Sequence, residues 1–94
     1  MSKLNAVQLN LYQAAYCPYC AKVRDEIDKL GIEISLHDIS FDAVRVLELV
    51  KYGGKRQVPC LQIQAADGNT TWLYESDEII SYLQRHAKNL AIAV

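Results

Sequence analysis

Residues 7–23 read VQLNLYQAAYCPYCAKV, and this stretch decides the fold. Val7, Leu9 and Leu11 alternate with polar residues at period two, which predicts a strand over Ala6–Leu11 with one buried face. A short loop, Tyr12 to Tyr16, follows. Pro18 suits the first turn of a helix, where the N–H that proline lacks has no intrahelical partner. Val23, Ile27 and Leu30 then recur at spacings of four and three. Gly31 stops the helix in the left-handed conformation that a residue without Cβ adopts freely. A strand feeding a helix through Cys17-Pro18-Tyr19-Cys20 is the opening of a βαβ unit.

Working outward, the pattern repeats once and then changes. Glu33 to Asp38 alternates again, with Ile32, Ile34 and Leu36 on one face, and reads as a second strand. Asp42 to Tyr52 places Val44, Leu47 and either Val46 or Val50 on one stripe, a second helix ended by Gly53-Gly54. Strand, helix, strand, helix implies a right-handed crossover and a parallel pair of strands. Pro59 opens a third strand, Cys60 to Gln64, at the position where a proline removes no ladder bond. Asp67-Gly68-Asn69 is a turn, so Thr71 to Tyr74 returns antiparallel. Ser76 is read as the N-cap of the last helix, with Asp77 and Glu78 in its first turn and Ile79, Ile80 and Leu83 on its apolar side. The expected order is βαβαββα, an α/β fold with a four-stranded mixed sheet and three helices, two on one face and one on the other.

At 94 residues, 51% of them apolar and 22% charged, the chain has the composition of one globular domain, taken as residues 1–94. A core of this size leaves little spare volume, so a ligand should be small or lie in a surface groove. A net charge of -1 without any block of like charge argues against nucleic acid as a partner. The apolar stretch Leu90-Ala91-Ile92-Ala93-Val94 is far shorter than the ~20 residues of a membrane helix, so no membrane association is expected. Met1 to Leu11 lacks the continuous apolar region of a secretory signal, and a cytoplasmic location is the expectation. Three cysteines, an odd number, argue against a secreted disulfide framework.

The cysteine pair carries the chemistry. A sulfur where a strand ends and a helix begins faces free N–H groups and the positive end of the helix dipole, so its thiolate is favoured and its pKa should fall below ~8.5. Cys17 is the expected nucleophile. Cys20, three residues on, shares its face and sits one turn inside, suited to act as the resolving thiol. An inert buried pair and half of a zinc site are the competing readings. Zinc takes four ligands, and Cys60, His37 and His86 stand at no ligand spacing to a partner, so no metal is expected. Cys60 is read as a small core residue, Tyr16 and Tyr19 as walls of a groove beside the nucleophile, and the histidines as without a role.

Cys17-Pro18-Tyr19-Cys20 after the first strand, Val58-Pro59 opening a later one, and Ser76-Asp77 at the start of the last helix together resemble the glutaredoxin family, over essentially the whole chain. The resemblance implies a thioredoxin-like fold, a cis bond before Pro59 and a groove that binds glutathione beside Cys17 and Tyr19. By the same resemblance, the backbone of Val58 pairs with the tripeptide like an added strand, and Ser76 and Asp77 hold its γ-glutamyl end. Helix capping is the competing reading of Ser76 and Asp77. Many glutaredoxins carry a lysine three residues before the nucleophile. Here that position is Ala14, and a charge partner is missing. Arg56 or Gln57, with Lys55 in the same loop, is expected to contact a glutathione carboxylate instead, unless the loop is simply a solvated basic one.

Trp72 to Ile79 also resembles the glutathione-binding segment of glutathione transferase N-terminal domains. A transferase needs a helical second domain, and the chain stops at Val94, so a free-standing glutaredoxin is expected. The implied activity is glutathione-dependent reduction of protein–glutathione mixed disulfides and protein disulfides by a monomer, with glutathione as co-substrate and glutathionylated or disulfide-bonded proteins as partners. Two alternatives stay open: a disulfide reductase recharged by thioredoxin reductase, and an iron–sulfur cluster carrier ligated through glutathione.

Overall fold

β1 (Gln8–Gln13), α1 (Pro18–Leu30), β2 (Ser35–Asp38), α2 (Ala43–Glu48), β3 (Cys60–Gln64), β4 (Thr70–Leu73) and α3 (Ser76–His86) follow in that order. The expected βαβαββα arrangement therefore holds across residues 8–87, which this computed structural model describes. The four strands form one mixed sheet in the order β2-β1-β3-β4. β1 pairs in parallel with β2 (Leu11↔Leu36) and antiparallel with β3 (Leu11↔Leu61). β4 closes the hairpin with β3 (Leu61↔Leu73).

The alternation of β1 and β3 sends their side chains to two different cores. Leu9, Leu11, Leu61 and Ile63 meet Val23 and Ile27 of α1 and Ile79 and Leu83 of α3 on one face. Tyr12 and Cys60 meet Leu49 on the other, under Val58, Trp72 and Tyr74. α1 ends as expected at Gly31, whose φ of 67° is left-handed and whose N–H closes the last turn on Ile27 and Asp28. No helix among the described residues is long and apolar enough to cross a membrane.

Five expectations need correction. β1 does not stop at Leu11 but runs to Gln13, because as a central strand it pairs on both sides, Tyr12 with His37 and Cys60 and Gln13 with Asp38. Its expected first residues, Ala6 and Val7, lie outside the described residues, as does the Leu90–Val94 stretch. Leu36 is half exposed, since β2 is an edge strand. The second helix was expected to carry Val44, Leu47 and either Val46 or Val50 on its apolar stripe, yet Val44, Leu47 and Val50 face solvent, Val46 is half-buried, and the buried residue is Leu49. The helix also ends early, passing after Glu48 into a π-helical turn over Leu49–Gly53. The physical reason lies under the helix. The buried Tyr12 hydroxyl needs a partner, and it donates to Glu48 Oε1 at 3.0 Å, which turns the Arg45–Glu48–Leu49 side toward the sheet. Finally, Ser76 is the first helical residue, not the cap. The cap is Glu75, whose side chain makes no capping bond.

Candidate active site

β1 delivers the chain to a tight turn, and the turn delivers it to the cysteines. Cys17 is the N-cap of α1 with extended backbone angles (φ -85°, ψ 121°) and makes no side-chain capping bond. Its N–H donates to the Ala14 carbonyl at 3.2 Å, and its own carbonyl accepts the first helical N–H, from Ala21, at 3.0 Å. The sulfur is thus held at the mouth of the helix while remaining partly exposed. Cys20 is fully buried, and its sulfur accepts the Ala14 N–H at 3.5 Å. All three cysteines are free thiols.

The two thiols are pushed in opposite directions. Partial burial works to raise the Cys17 pKa, but the Cys20 N–H and thiol, the Tyr19 N–H and the Arg24 charge together outweigh it and lower it. Burial raises Cys20 to about 11, with the neighbouring Cys17 sulfur adding to the rise against a lowering bond from Ala14. Burial likewise raises Cys60 to about 12, despite a bond to Tyr74, and Cys60 lies in the core beneath Leu49.

Val58–Pro59 is a cis peptide bond, as the resemblance implies. Because Tyr12 pairs with Cys60, this dipeptide sits just beyond the ladder, beside the turn that leads into Cys17. Pro59 is buried, Val58 and Gln57 are half-buried, and Arg56 and Tyr19 are exposed. Ser76 and Asp77 open α3, where the first N–H groups have no intrahelical partner. Asp77 reaches back to α1 and pairs with Lys22 at 3.0 Å, so the starts of the two helices are adjacent. Tyr16 is exposed and its hydroxyl accepts from Ser40 Oγ at 3.5 Å.

Sequence reasoning missed four contributors. Arg24 donates to Gln13 Oε1, to the Ala14 carbonyl at 3.4 Å and to the Ala15 carbonyl at 3.3 Å. Its signal was available: positions 17, 20 and 24 are spaced three and then four apart, which puts them on one helix face. Gln13 is a buried polar residue that answers Arg24. Lys22 had no such signal, since its partner stands on another helix. Tyr74 was expected to end the last strand, yet it lies just past β4 and its hydroxyl bonds to both backbone groups of Lys55, accepting from the N–H at 3.2 Å and lying 3.1 Å from the carbonyl. Among the described residues, no cluster of three or more His, Cys, Asp or Glu is placed to hold a metal ion.

Comparison with known proteins agrees with this fold. The family model described as Glutaredoxin matches residues 9–65. Prostaglandin E synthase 2 of Mus musculus is 34% identical over 86 residues, 87% of this chain but 20% of that protein, so the chain spans about a fifth of this relative's length. Among solved structures, wheat glutaredoxin superposes with a TM-score of 0.64 at 19% identity, over 87% of this chain and 74% of its own. A buckwheat glutaredoxin–glutathione complex gives 0.61 at 18% identity, over 94% and 86%. Maleylacetoacetate isomerase of Anaeromyxobacter dehalogenans with glutathione in its active site gives 0.68 at 21%, over 93% of this chain and 41% of that one. At these identities the structures establish a shared fold.

Proposed function

The chain belongs to the glutaredoxin family, and on that premise we propose that it is a glutathione-dependent thiol–disulfide oxidoreductase acting on protein–glutathione mixed disulfides and protein disulfides. The observation that carries this reading is the asymmetry of the cysteine pair. Cys17 is reachable and biased toward thiolate, while Cys20 is buried and held as thiol. In the first step the Cys17 thiolate attacks the glutathione sulfur of a mixed disulfide. A Cys17–glutathione bond forms, the old S–S bond breaks, and the protein thiolate leaves and takes up a proton. A second glutathione thiolate then attacks the adduct, freeing Cys17 and carrying the oxidising equivalents away as glutathione disulfide. With a protein disulfide, Cys17 forms the mixed disulfide and Cys20, once deprotonated, displaces it by closing the intramolecular bond, which glutathione later reduces.

Glutathione lies across the helix starts. The Val58 backbone pairs with the tripeptide main chain, the open N–H groups at Ser76 receive the γ-glutamyl carboxylate, and Asp77 receives its ammonium. Tyr19 flanks the thiol, and Arg56 and Gln57 meet the remaining carboxylate. The Lys22–Asp77 pair is exposed on both sides, so a ligand ammonium shares that carboxylate at little cost. The maleylacetoacetate isomerase neighbour holds glutathione in its active site, and the buckwheat glutaredoxin neighbour is a glutathione complex. The protein acts as a monomer in a reducing, cytoplasmic compartment, where a partly exposed dithiol stays reduced.

The test is glutathione-coupled reduction of a small mixed disulfide by wild type, Cys17→Ser and Cys20→Ser. Loss of Cys17 should abolish turnover, and loss of Cys20 should leave deglutathionylation while ending protein disulfide reduction. Equal activity of the two variants would remove Cys17 from its role.

A further inference from the structure

We propose that Arg24 is a positioning residue for the cysteine pair, supplying from the helix the fixed positive charge that the chain lacks at Ala14 and clamping the turn from which both sulfurs are hung. This rests on the reading of Cys17 as the nucleophile. Ala14 is the junction of the site: its carbonyl accepts from Cys17 N–H and from Arg24, and its N–H donates to the Cys20 sulfur. It is 4% exposed, so a lysine at this position would have to bury its stem in the core before its ammonium reached water. The charge instead arrives from α1, two turns below Cys17.

The guanidinium suits the task because of what it binds. Its recorded partners are three neutral oxygens on consecutive residues, Gln13, Ala14 and Ala15, a fork that an ammonium cannot span. Among the described residues it forms no ion pair, although Asp25 and Asp28 line the cleft behind it with Arg24 itself. Its charge is therefore not cancelled by an ion pair, and it is fixed to the turn that leads into Cys17. Gln13 completes the arrangement. At 6% exposure its side chain needs a buried partner, and Arg24 is that partner, while the Gln13 carbonyl takes the Ile39 N–H at 3.0 Å. The end of β1, the turn and the first two turns of α1 are thus tied at one point. The other charged or titratable groups around Cys17 are Cys20 on the same helix, Tyr16 and Tyr19 beside it, the Lys22–Asp77 pair joining α1 to α3, and Lys55 and Arg56 in the loop before β3. Lys22 is occupied by Asp77, and Lys55 lies over the Tyr74 ring. After the bonds from Cys20 and Tyr19, the Arg24 charge also helps to lower the Cys17 pKa, and it acts in the same direction on Cys20.

The experiment is the pH profile of Cys17 alkylation by iodoacetamide, which needs no glutathione, in wild type, Arg24→Gln, Arg24→Lys and the surface control Lys29→Gln. In Arg24→Gln the midpoint should move up by about half a pH unit, with the rate below the midpoint falling about threefold. Arg24→Lys should recover part of that shift, and Lys29→Gln should match wild type. Raising salt from about 20 to about 500 mM should move the wild-type midpoint up and leave Arg24→Gln nearly still. An unchanged midpoint in Arg24→Gln, even with a lower unfolding temperature, would overturn the proposal and leave Arg24 as a structural strut. If Arg24→Gln does not fold, an Arg24→Lys profile shifted upward, together with the wild-type salt response, supports the proposal, and their absence overturns it. A shifted profile in a protein that fails to turn over glutathione would refute the proposed activity without touching Arg24, and the converse pattern would do the reverse.

Discussion

On the α1–α3 side of the sheet, Leu11, Val23, Leu61, Ile79 and Leu83 are closed to solvent, whereas on the α2 side the buried cluster is Tyr12, Leu49 and Cys60. The first side is held by apolar contact. The second is held by directed bonds: Tyr12 to Glu48, Glu48 to Arg45 at 2.9 Å, and Asn10 to both His37 and Gln62. α2 and the π-helical turn after it lie over this network with Val44, Leu47 and Val50 outward. The contrast teaches that a helix can be placed by one phenol seeking an acceptor as firmly as another is placed by a stripe of leucines. It also explains where the thiols differ, since Cys20 faces the packed interior and Cys17 stands at its rim.

The largest effect should come from the apolar side. Leu61→Ala removes a side chain buried between α1 and α3 and should cost about 2–5 kcal/mol in urea unfolding. A cost under about 1 kcal/mol would mean that this core is not the main support. On the α2 side the sharpest perturbation is Gly53→Ala. A Cβ there would collide with the Tyr74 hydroxyl and press on the Trp72 ring, for an expected loss of about 1–3 kcal/mol. It should also weaken glutathione binding, because Tyr74 holds the Lys55 backbone; unchanged affinity would uncouple the two.

A subtler difference is sensitivity to acid. Burial lowers the His37 pKa, with Arg45 adding to the fall and Glu48 and Asp42 opposing it. The unfolded chain then binds more protons just below pH 6.5, so the His37 contribution is full above its unfolded value and is lost as pH drops beneath it. Glu48 is lowered mainly by its bond from Arg45, so its contribution is full above 4.5 and is lost as pH falls through its folded value. Urea midpoints should therefore decline from neutral to mildly acid pH, and His37→Asn should flatten that decline. The smallest effect belongs to Leu47→Gln. Leu47 is 67% exposed, so stability should change by no more than about 0.5 kcal/mol, and a large loss would return α2 to the orientation its apolar stripe suggests.

Where the sequence was legible, one signal dominated. β3, the β3–β4 turn and the start and end of α1 were marked by proline, glycine or clean alternation, while the cis Val58–Pro59 bond came from the family resemblance. α2 was not, because Val44, Val46, Leu47, Leu49 and Val50 are apolar around most of the helix, and no periodicity can choose a face among them. The choice was made by Tyr12, a residue assigned to a loop. At the site, the partial exposure of Cys17 and the burial of Cys20 followed from their places at the start of α1, and Asp77 meets α1 through Lys22. The Lys22–Asp77 pair joins residues 55 apart in sequence, a contact that only folding creates.

The Tyr74 hydroxyl has a mechanical consequence. By gripping Lys55 at both N–H and carbonyl, it joins the loop ahead of Val58 to the segment ahead of Ser76, the two banks between which a tripeptide would lie. The spacing of those banks is thereby set by the fold itself. A ligand entering between them has less chain to immobilise, and more of its contact energy remains as affinity.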